Sequence, residues 1–403
     1  MIIFIAFVLL LFSLFIYFIS RDILSPAFIS PAIWGILLLL YGILDHGMYE
    51  LSDRILYVLL VWNIMLSLGA ITFSRINLWR GERGRHLIYI NSNIRKVLLI
   101  LLFVCTPYLL YIAYLQGIAG GGDFLFNLRM ANTGLVESEY NYGILEYIMP
   151  LSYILLIVEL LLYKKGDSKV LIFLLVLINI TFCIVTMAKS SIFFRFGGCL
   201  FVLMFKRKIS IMKILIGIVI LIVLMSSFQL LRTTSDKETD DVLSNMFYTY
   251  IFGGLPALDV ILEEDVQSVN AGQYTAAFLT NVAVKTGLCQ PSELDWNHDI
   301  FDENNYVYIP TPTNVYTVVA PFYMDFSYIG IFCFSFITGT IAAIFYRLAR
   351  KNLLVGIILY SYMVCVLVMQ FFSEYIFANI SYLIQLIFWS ILLTKNWKLK
   401  NSN

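Results

Sequence analysis

The sequence predicts an all-α polytopic integral membrane protein of about 11 transmembrane helices, with one long outer loop between helices eight and nine. Three observations carry this. Of 403 residues, 60% are hydrophobic and only 13% charged, with a mean hydropathy of +0.85. That is more apolar surface than a soluble domain of this size hides in one core. The apolar residues also fall in runs of ~20, the length that crosses the hydrocarbon layer as a helix. Finally, all but seven of the 27 Lys and Arg residues occupy alternate connections between runs, the bias that marks cytoplasmic loops. Hydrocarbon admits only helices or closed barrels, and these runs are too long and too continuously apolar for barrel strands. The net charge of +1 gives no reason to expect nucleic acid.

The first run, residues 1–19, lacks the basic start and small-residue cleavage site of a signal peptide and reads as a retained helix. Runs 27–44 and 55–73 follow, and then loop 74–96, whose Arg75, Arg80, Arg83, Arg85, Arg95 and Lys96 place it inside. Run 97–116 returns the chain outside to residues 117–146. Runs 147–163 and 170–187 are joined inside through "KKGDSK", and "AKSS" forms a tight outer turn to run 190–205. A basic stretch from Lys206 to Lys213 precedes run 211–228, after which residues 229–320 lie outside with three basic residues (Arg232, Lys237, Lys285) among many acidic ones. Runs 321–345, 353–372 and 379–394 complete the set, separated by the inner "RLARK" and ending in the inner "KNWKLK". The organisation is therefore 1–228 with an outer loop at 117–146, a large outer loop at 229–320, and 321–403 with three helices and a tail. The N-terminus is placed outside and the C-terminus inside.

Within the large loop, "VLSNMFYTYIFGGLPALDVIL" reads as a helix lying against or re-entering the membrane, broken at Gly253-Gly254 and Pro256. The following "LCQPSELDWNHDIFDENNYVYIPTPTN" reads as loop. Five cysteines sit in apolar runs and Cys289 alone lies in a polar stretch, so no intramolecular disulfide is expected. With three histidines in the chain and no ligand spacing in its acidic runs, no metal or cofactor is expected.

The seven basic residues outside the bias are Arg54, Arg129, Lys189, Arg195, Arg232, Lys237 and Lys285. Lys189 stands at the start of helix seven, where free N–H groups and the positive dipole end favour an anion, and Ser190 or Ser191 offers a cap. Arg195 lies about one turn deeper and is expected to snorkel outward. Arg129 follows the glycine-rich "GIAGGGD", and Arg232 emerges from helix eight. Each is also explained by a headgroup contact or a local salt bridge. Together they favour one phosphate-binding site in the outer leaflet, because the guanidinium fork matches phosphate. Glu159, near Lys164 and Lys165, is expected to form a snorkelled ion pair.

The stretch "PTNVYTVVAPFYMDFSYIGIFCFSFITG", preceded by "TMAKSSIFFR" and "MFYTYIFGGLPALD", resembles the Wzy-type oligosaccharide repeat-unit polymerases, or O-antigen polymerases. The resemblance covers nearly the whole chain. Its best local match is the aromatic-Asp-Phe-x-x-x-Gly segment around Asp325, where the family more often has Gly at the position of Ser327. The paired Arg-x10-Gly motifs of some members are absent: Tyr140 and Leu243 occupy the positions eleven after Arg129 and Arg232.

The resemblance implies a metal-independent glycosyltransferase in the bacterial cytoplasmic (inner) membrane, with its active site facing the periplasm. It would transfer a growing glycan from undecaprenyl diphosphate onto a new carrier-linked repeat unit. The pathway's chain-length regulator and flippase, and membrane lipid, are the implied partners. Arg129, Lys189, Arg195 and Arg232 would then bind the diphosphate, Arg232 also taking part in catalysis. Asp325 is the first candidate for the base, with Asp295, His298, Asp299 and Glu374 behind it. Asp325 also suits a structural role in the first turn of its helix. Trp296, His298, Asp299 and Tyr316 would contact sugar, although aromatic residues also anchor helices at the interface. An O-antigen ligase shares the layout and the diphosphate chemistry; a flippase or transporter is the rival outside catalysis.

Overall fold

The computed structural model describes residues 1–75, 89–133, 140–164, 166–206, 212–213, 216–217, 220–221, 248–268, 272–288 and 306–395. Their helices are α1 (Ile2–Ser20), α2 (Pro26–Ile43), α3 (Asp53–Arg75), α4 (Ser92–Ile118), α5 (Phe124–Thr133), α6 (Ile148–Leu162), α7 (Val170–Thr186), α8 (Lys189–Ile192) and α9 (Gly198–Phe205). Later in the chain come α10 (Gly254–Glu263), α11 (Ala277–Lys285), α12 (Ala320–Arg350), α13 (Leu354–Val368) and α14 (Ile380–Thr394). Among the described residues, 7 helices are long and apolar enough to cross a membrane, and three shorter apolar helices, Val170–Thr186, Ser190–Phe205 and Ile380–Thr394, accompany them. These overlie every predicted run except 211–228, which lies largely outside the described residues.

The chain forms two units. The first comprises Met1–Arg83, Asp236–Arg347 and Val366–Ser381. In it α3 and α12 cross with backbone nearly touching backbone. A Cβ on Gly339 would lie 1.9 Å from the Leu66 carbonyl oxygen, and one on Gly69 would lie 2.3 Å from that of Phe336. Small residues permit this approach, which in lipid replaces the hydrophobic drive available in water. The crossing is flanked by a buried polar node. Ser30, Trp34 and Trp62 all donate to Gln370 Oε1, at 2.9, 2.8 and 3.2 Å.

One end of this unit gathers the α1–α2 turn and the last turns of α3 and α12, through Tyr346 to Asp22 and Arg347 Nη1 to the Phe73 carbonyl at 2.9 Å. The opposite end holds α10. Asp259 accepts the Ser52 amide and hydroxyl at 2.6 and 2.5 Å, and Arg54 Nη1 donates to the Leu262 carbonyl at 2.6 Å. The expected break appears as a turn at Gly253, whereas Pro256 sits inside the first turn of α10, where a missing N–H costs nothing. Leu255, Leu258, Ile261 and Leu262 are buried in protein, so α10 belongs to the packed interior rather than lying along lipid. A Cβ on Gly254 would meet the Phe371 carbonyl at 2.4 Å. The segment read as loop ends in a small hairpin, Val307–Tyr308 against Pro312–Thr313, whose Val307 and Ile309 pack on Ala257.

The second unit comprises Gly84–Ser235, Leu348–Cys365 and Tyr382–Asn403. Helix α6 is its axis, buried from Ile148 to Glu159 and packed against α4, α7 and α9. The Tyr153 hydroxyl pairs with Ser361 Oγ at 2.7 Å, and Gly198 leaves the space that this hydroxyl needs. Asn91 caps α4, its Oδ1 accepting the Asn93 and Ile94 amides, and ties that end to α14 through the Leu393 and Lys395 carbonyls. The ion pair expected within the chain neighbourhood of Glu159 instead crosses between helices. Arg95 Nη1 of α4 lies 3.3 Å from Glu159 Oε1 of α6, because antiparallel packing brings these ends together.

Candidate functional site

Helix α7 ends at Thr186, and Met187, in the left-handed region at φ 49°, turns the chain into α8. Between α8 and α9 the backbone takes a π turn over Phe193–Gly197. Such a turn shifts the helical face by an extra residue and re-aims side chains. Here it carries Arg195 into the interior.

Arg195 is 5% exposed, so the expected snorkelling to the surface does not occur. Its Nη1 donates to Asn179 Oδ1 at 2.8 Å, Ser152 Oγ at 2.9 Å and the Met149 carbonyl at 3.2 Å, and Nε donates to Ser191 Oγ at 3.2 Å. The guanidinium carbon lies 5.9 Å from the Phe182 ring centre. Asn179 Nδ2 donates to the Leu175 and Ser152 carbonyls, at 2.8 and 3.2 Å, which aims its Oδ1 at Arg195. Every partner is neutral. Among the described residues no carboxylate meets this guanidinium, and Nη2 has no hydrogen-bond partner. A buried cation of this kind carries a desolvation cost of several kcal/mol that a counter-anion would offset.

Of the expected outer loop 117–146, residues 117–133 and 140–146 are described, and they pack at the same end of the unit. Asn127 organises the glycine-rich stretch, donating from Nδ2 to the Gly117 and Gly122 carbonyls and accepting the Gly122 amide. Asn132, one turn beyond Arg129 on α5, donates to the Val185 carbonyl at the end of α7 at 3.0 Å. Tyr142 donates to Gln116 Oε1 at 2.7 Å, and burial pushes its hydroxyl up to about 12, with the Glu146 charge adding and the hydrogen bond to Asn132 opposing. The half-buried Arg129, the start of α8 at Lys189, and Arg195 therefore stand on elements that meet at one end. Ser191 lies inside α8 as a partner of Arg195 rather than as a helix cap. The side chain of Lys189 and all of Arg232, Asp295, Trp296, His298 and Asp299 lie outside the described residues.

Asp325, Tyr316 and Glu374 belong to the first unit. Both oxygens of the buried Asp325 accept the Tyr274 amide, at 3.2 and 3.1 Å, and Oδ2 also accepts the Thr275 amide at 2.6 Å. Two residues later Ser327 breaks α12 with φ 53° and ψ −148°, a conformation that glycine adopts readily and other residues rarely. The break folds the helix back so that Gly330 faces the Phe322 carbonyl, 2.1 Å from where a Cβ would sit. The Asp-Phe-x-x-x-Gly segment thus has a local architectural account: a fastener, a break and a close approach. Tyr316 packs on the Ala257–Val307–Ile309 cluster. Glu374, also buried, accepts the amides of Ile376, Phe377 and Ala378 at 2.6, 3.0 and 2.7 Å. Burial raises its carboxyl above the ordinary range against these amides, which oppose the shift.

Apart from Ser191, which was read as a cap, the partners of Arg195 were not among the residues picked from sequence. Their signal is Ser152 and Asn179, uncharged polar groups inside otherwise apolar runs, which in a membrane helix mark the face turned to protein. Comparison with protein-family models, with curated proteins and with solved structures finds no match to this chain.

Proposed function

We propose that this chain is a membrane glycosyltransferase that polymerises undecaprenyl-diphosphate-linked repeat units into O-antigen, capsule or exopolysaccharide on the outer face of the bacterial cytoplasmic membrane. The observation that supports this reading is Arg195, a buried guanidinium with neutral partners and Nη2 left over. In the transfer, the bond from the sugar anomeric carbon to the diphosphate oxygen breaks as the acceptor hydroxyl bonds to that carbon. Negative charge grows on the departing diphosphate, and a preorganised guanidinium in a water-poor site stabilises it. Arg129 and Lys189 approach the same end from α5 and α8, and Arg232 is the fourth cation assigned to the diphosphate.

The acceptor hydroxyl loses its proton to a carboxylate or imidazole. Asp325 remains the first candidate by resemblance, although its amide contacts favour the fastening role. Trp296, His298, Asp299 and Tyr316 are assigned to the sugars, and the chain-length regulator and flippase of the pathway to neighbouring steps. No metal or cofactor enters the proposal.

Deleting the gene and separating the surface glycan on a gel tests the reading. Chains stopped at a single repeat support a polymerase. Loss of all attached glycan indicates a ligase or a flippase, and an unchanged ladder removes all three.

A further inference from the structure

The break at Ser327 turns the following residues of α12 against the first turns of α3. An open groove of about 330 Å³ lies there, lined by Arg54, Tyr57, Val61, Tyr328, Ile331 and Phe332. Its floor at Ile331 is buried, and its walls at Tyr57, Val61, Tyr328 and Phe332 are exposed. From Arg54 to Val61 the α3 wall runs ~10 Å at the helical rise, enough for the upper part of one acyl chain.

Arg54 stands at one end of the groove, and Asp265 lies close by, outside the lining residues. Arg54 spends Nη1 on the Leu262 carbonyl at 2.6 Å, and its remaining nitrogens have no hydrogen-bond partner among the described residues. Asp265, solvent-exposed, is held by the Tyr323 hydroxyl at 2.6 Å and by Gln267 Nε2 at 3.2 Å. These two hydrogen bonds, and then the Arg54 charge, draw the Asp265 carboxyl below its ordinary value of 3.8. The two charges sense each other without forming an ion pair. The Tyr323 and Tyr328 rings, 5.3 Å apart and edge to face, join this end to the groove wall.

We infer that this groove is a binding site for one phospholipid with an ammonium headgroup, of the phosphatidylethanolamine class. Its phosphate meets Arg54, its ammonium meets Asp265, and one acyl chain fills the groove. The occupant is chosen by charge. A cation at the mouth of an apolar groove and an anion beside it, held apart, complement a zwitterion, whereas a purely anionic lipid or a polyprenyl phosphate would satisfy Arg54 and be repelled by Asp265. The inference does not depend on the proposed reaction, because lipid retention is read without activity.

Native mass spectrometry of the full chain, purified in detergent with phosphatidylethanolamine, phosphatidylglycerol and undecaprenyl phosphate added in turn, tests it. The wild type should retain phosphatidylethanolamine at least several-fold better than either other lipid. Arg54→Gln should lower that retention roughly tenfold, the loss of one charge-assisted phosphate contact, while Arg54→Lys keeps most of it. Asp265→Asn, a surface change that leaves the fold intact, should shift the preference toward phosphatidylglycerol. Equal retention of all three lipids by the wild type, preference for undecaprenyl phosphate, or an unchanged preference in Asp265→Asn would each overturn the inference.

Discussion

Arg195 Nη1 and Asn179 Oδ1 lie 2.8 Å apart in the interior of the second unit, an amide standing where a buried arginine ordinarily meets a carboxylate. Replacing that amide by an acid separates a structural arginine from a ligand-binding one. Asn179→Asp supplies an internal counter-ion, while its second oxygen faces the Leu175 and Ser152 carbonyls that Nδ2 served; the two effects oppose, so the protein should unfold near the wild-type temperature. Polymer formation should fall at least tenfold, because the new carboxylate competes with phosphate for the same guanidinium. Undiminished polymer in a well-folded Asn179→Asp protein would show that Arg195 serves packing alone.

Ser327 pays for the break in α12 with a backbone conformation that costs on the order of 1–3 kcal/mol for a residue with a side chain. Ser327→Gly relieves that strain and loses ~0.4–1 kcal/mol to the freer unfolded chain. A net gain of about 1 kcal/mol is expected in thermal unfolding in detergent. Gly330→Ala should do the opposite, since its Cβ would press on the Phe322 carbonyl oxygen. A less stable Ser327→Gly protein would remove the strain argument.

Asp325 has two competing jobs, and two substitutions tell them apart. Asn keeps an oxygen for the Tyr274 and Thr275 amides, whereas Leu leaves both amides without it, at about 1–3 kcal/mol for each buried donor. A fastener predicts near-normal polymerisation for Asp325→Asn and poor expression for Asp325→Leu. A loss of roughly a hundredfold or more in Asp325→Asn, with expression unchanged, would instead make it the base.

The Arg95–Glu159 pair joins two spanning helices at 3.3 Å. Glu159→Gln and Arg95→Gln should each lower thermal stability, and the double variant should lose less than the two losses added. Lys164→Gln should have little effect. A stability loss in Lys164→Gln comparable to that in Arg95→Gln would restore the pairing expected from chain proximity.

The spans were legible because length and continuous apolarity are strong local signals. Run 1–19 became Ile2–Ser20, and run 27–44 became Pro26–Ile43. The breaks were not legible in the same way. Nothing in the composition of "MDFSYIG" announces that Ser327 leaves the helix; the break is seen in its backbone angles and in the close approach of Gly330 to Phe322 that follows it. The candidate site was half visible. Arg195 stood out by violating the charge bias, but its inward direction depends on a π turn at Phe193–Gly197. Likewise, α10 is buried by groups far away in sequence, with Phe371 and Thr317 against Gly254, Val307 and Ile309 against Ala257, and Ser52 against Asp259.

In the proposed reaction this chain joins lipid-linked repeat units and Arg195 holds the departing diphosphate. The most direct measurement reconstitutes the purified chain in vesicles with an undecaprenyl-diphosphate-linked repeat unit and separates the lipid-linked products by size. A ladder of lengthening glycans is expected from the wild type. Arg195→Gln should weaken it roughly ten- to a hundredfold, the equivalent of ~1.5–3 kcal/mol for one charge-assisted contact. A wild-type protein that moves the unit across the bilayer without lengthening it, or an Arg195→Gln protein that builds the full ladder at the normal rate, would contradict the proposed reaction.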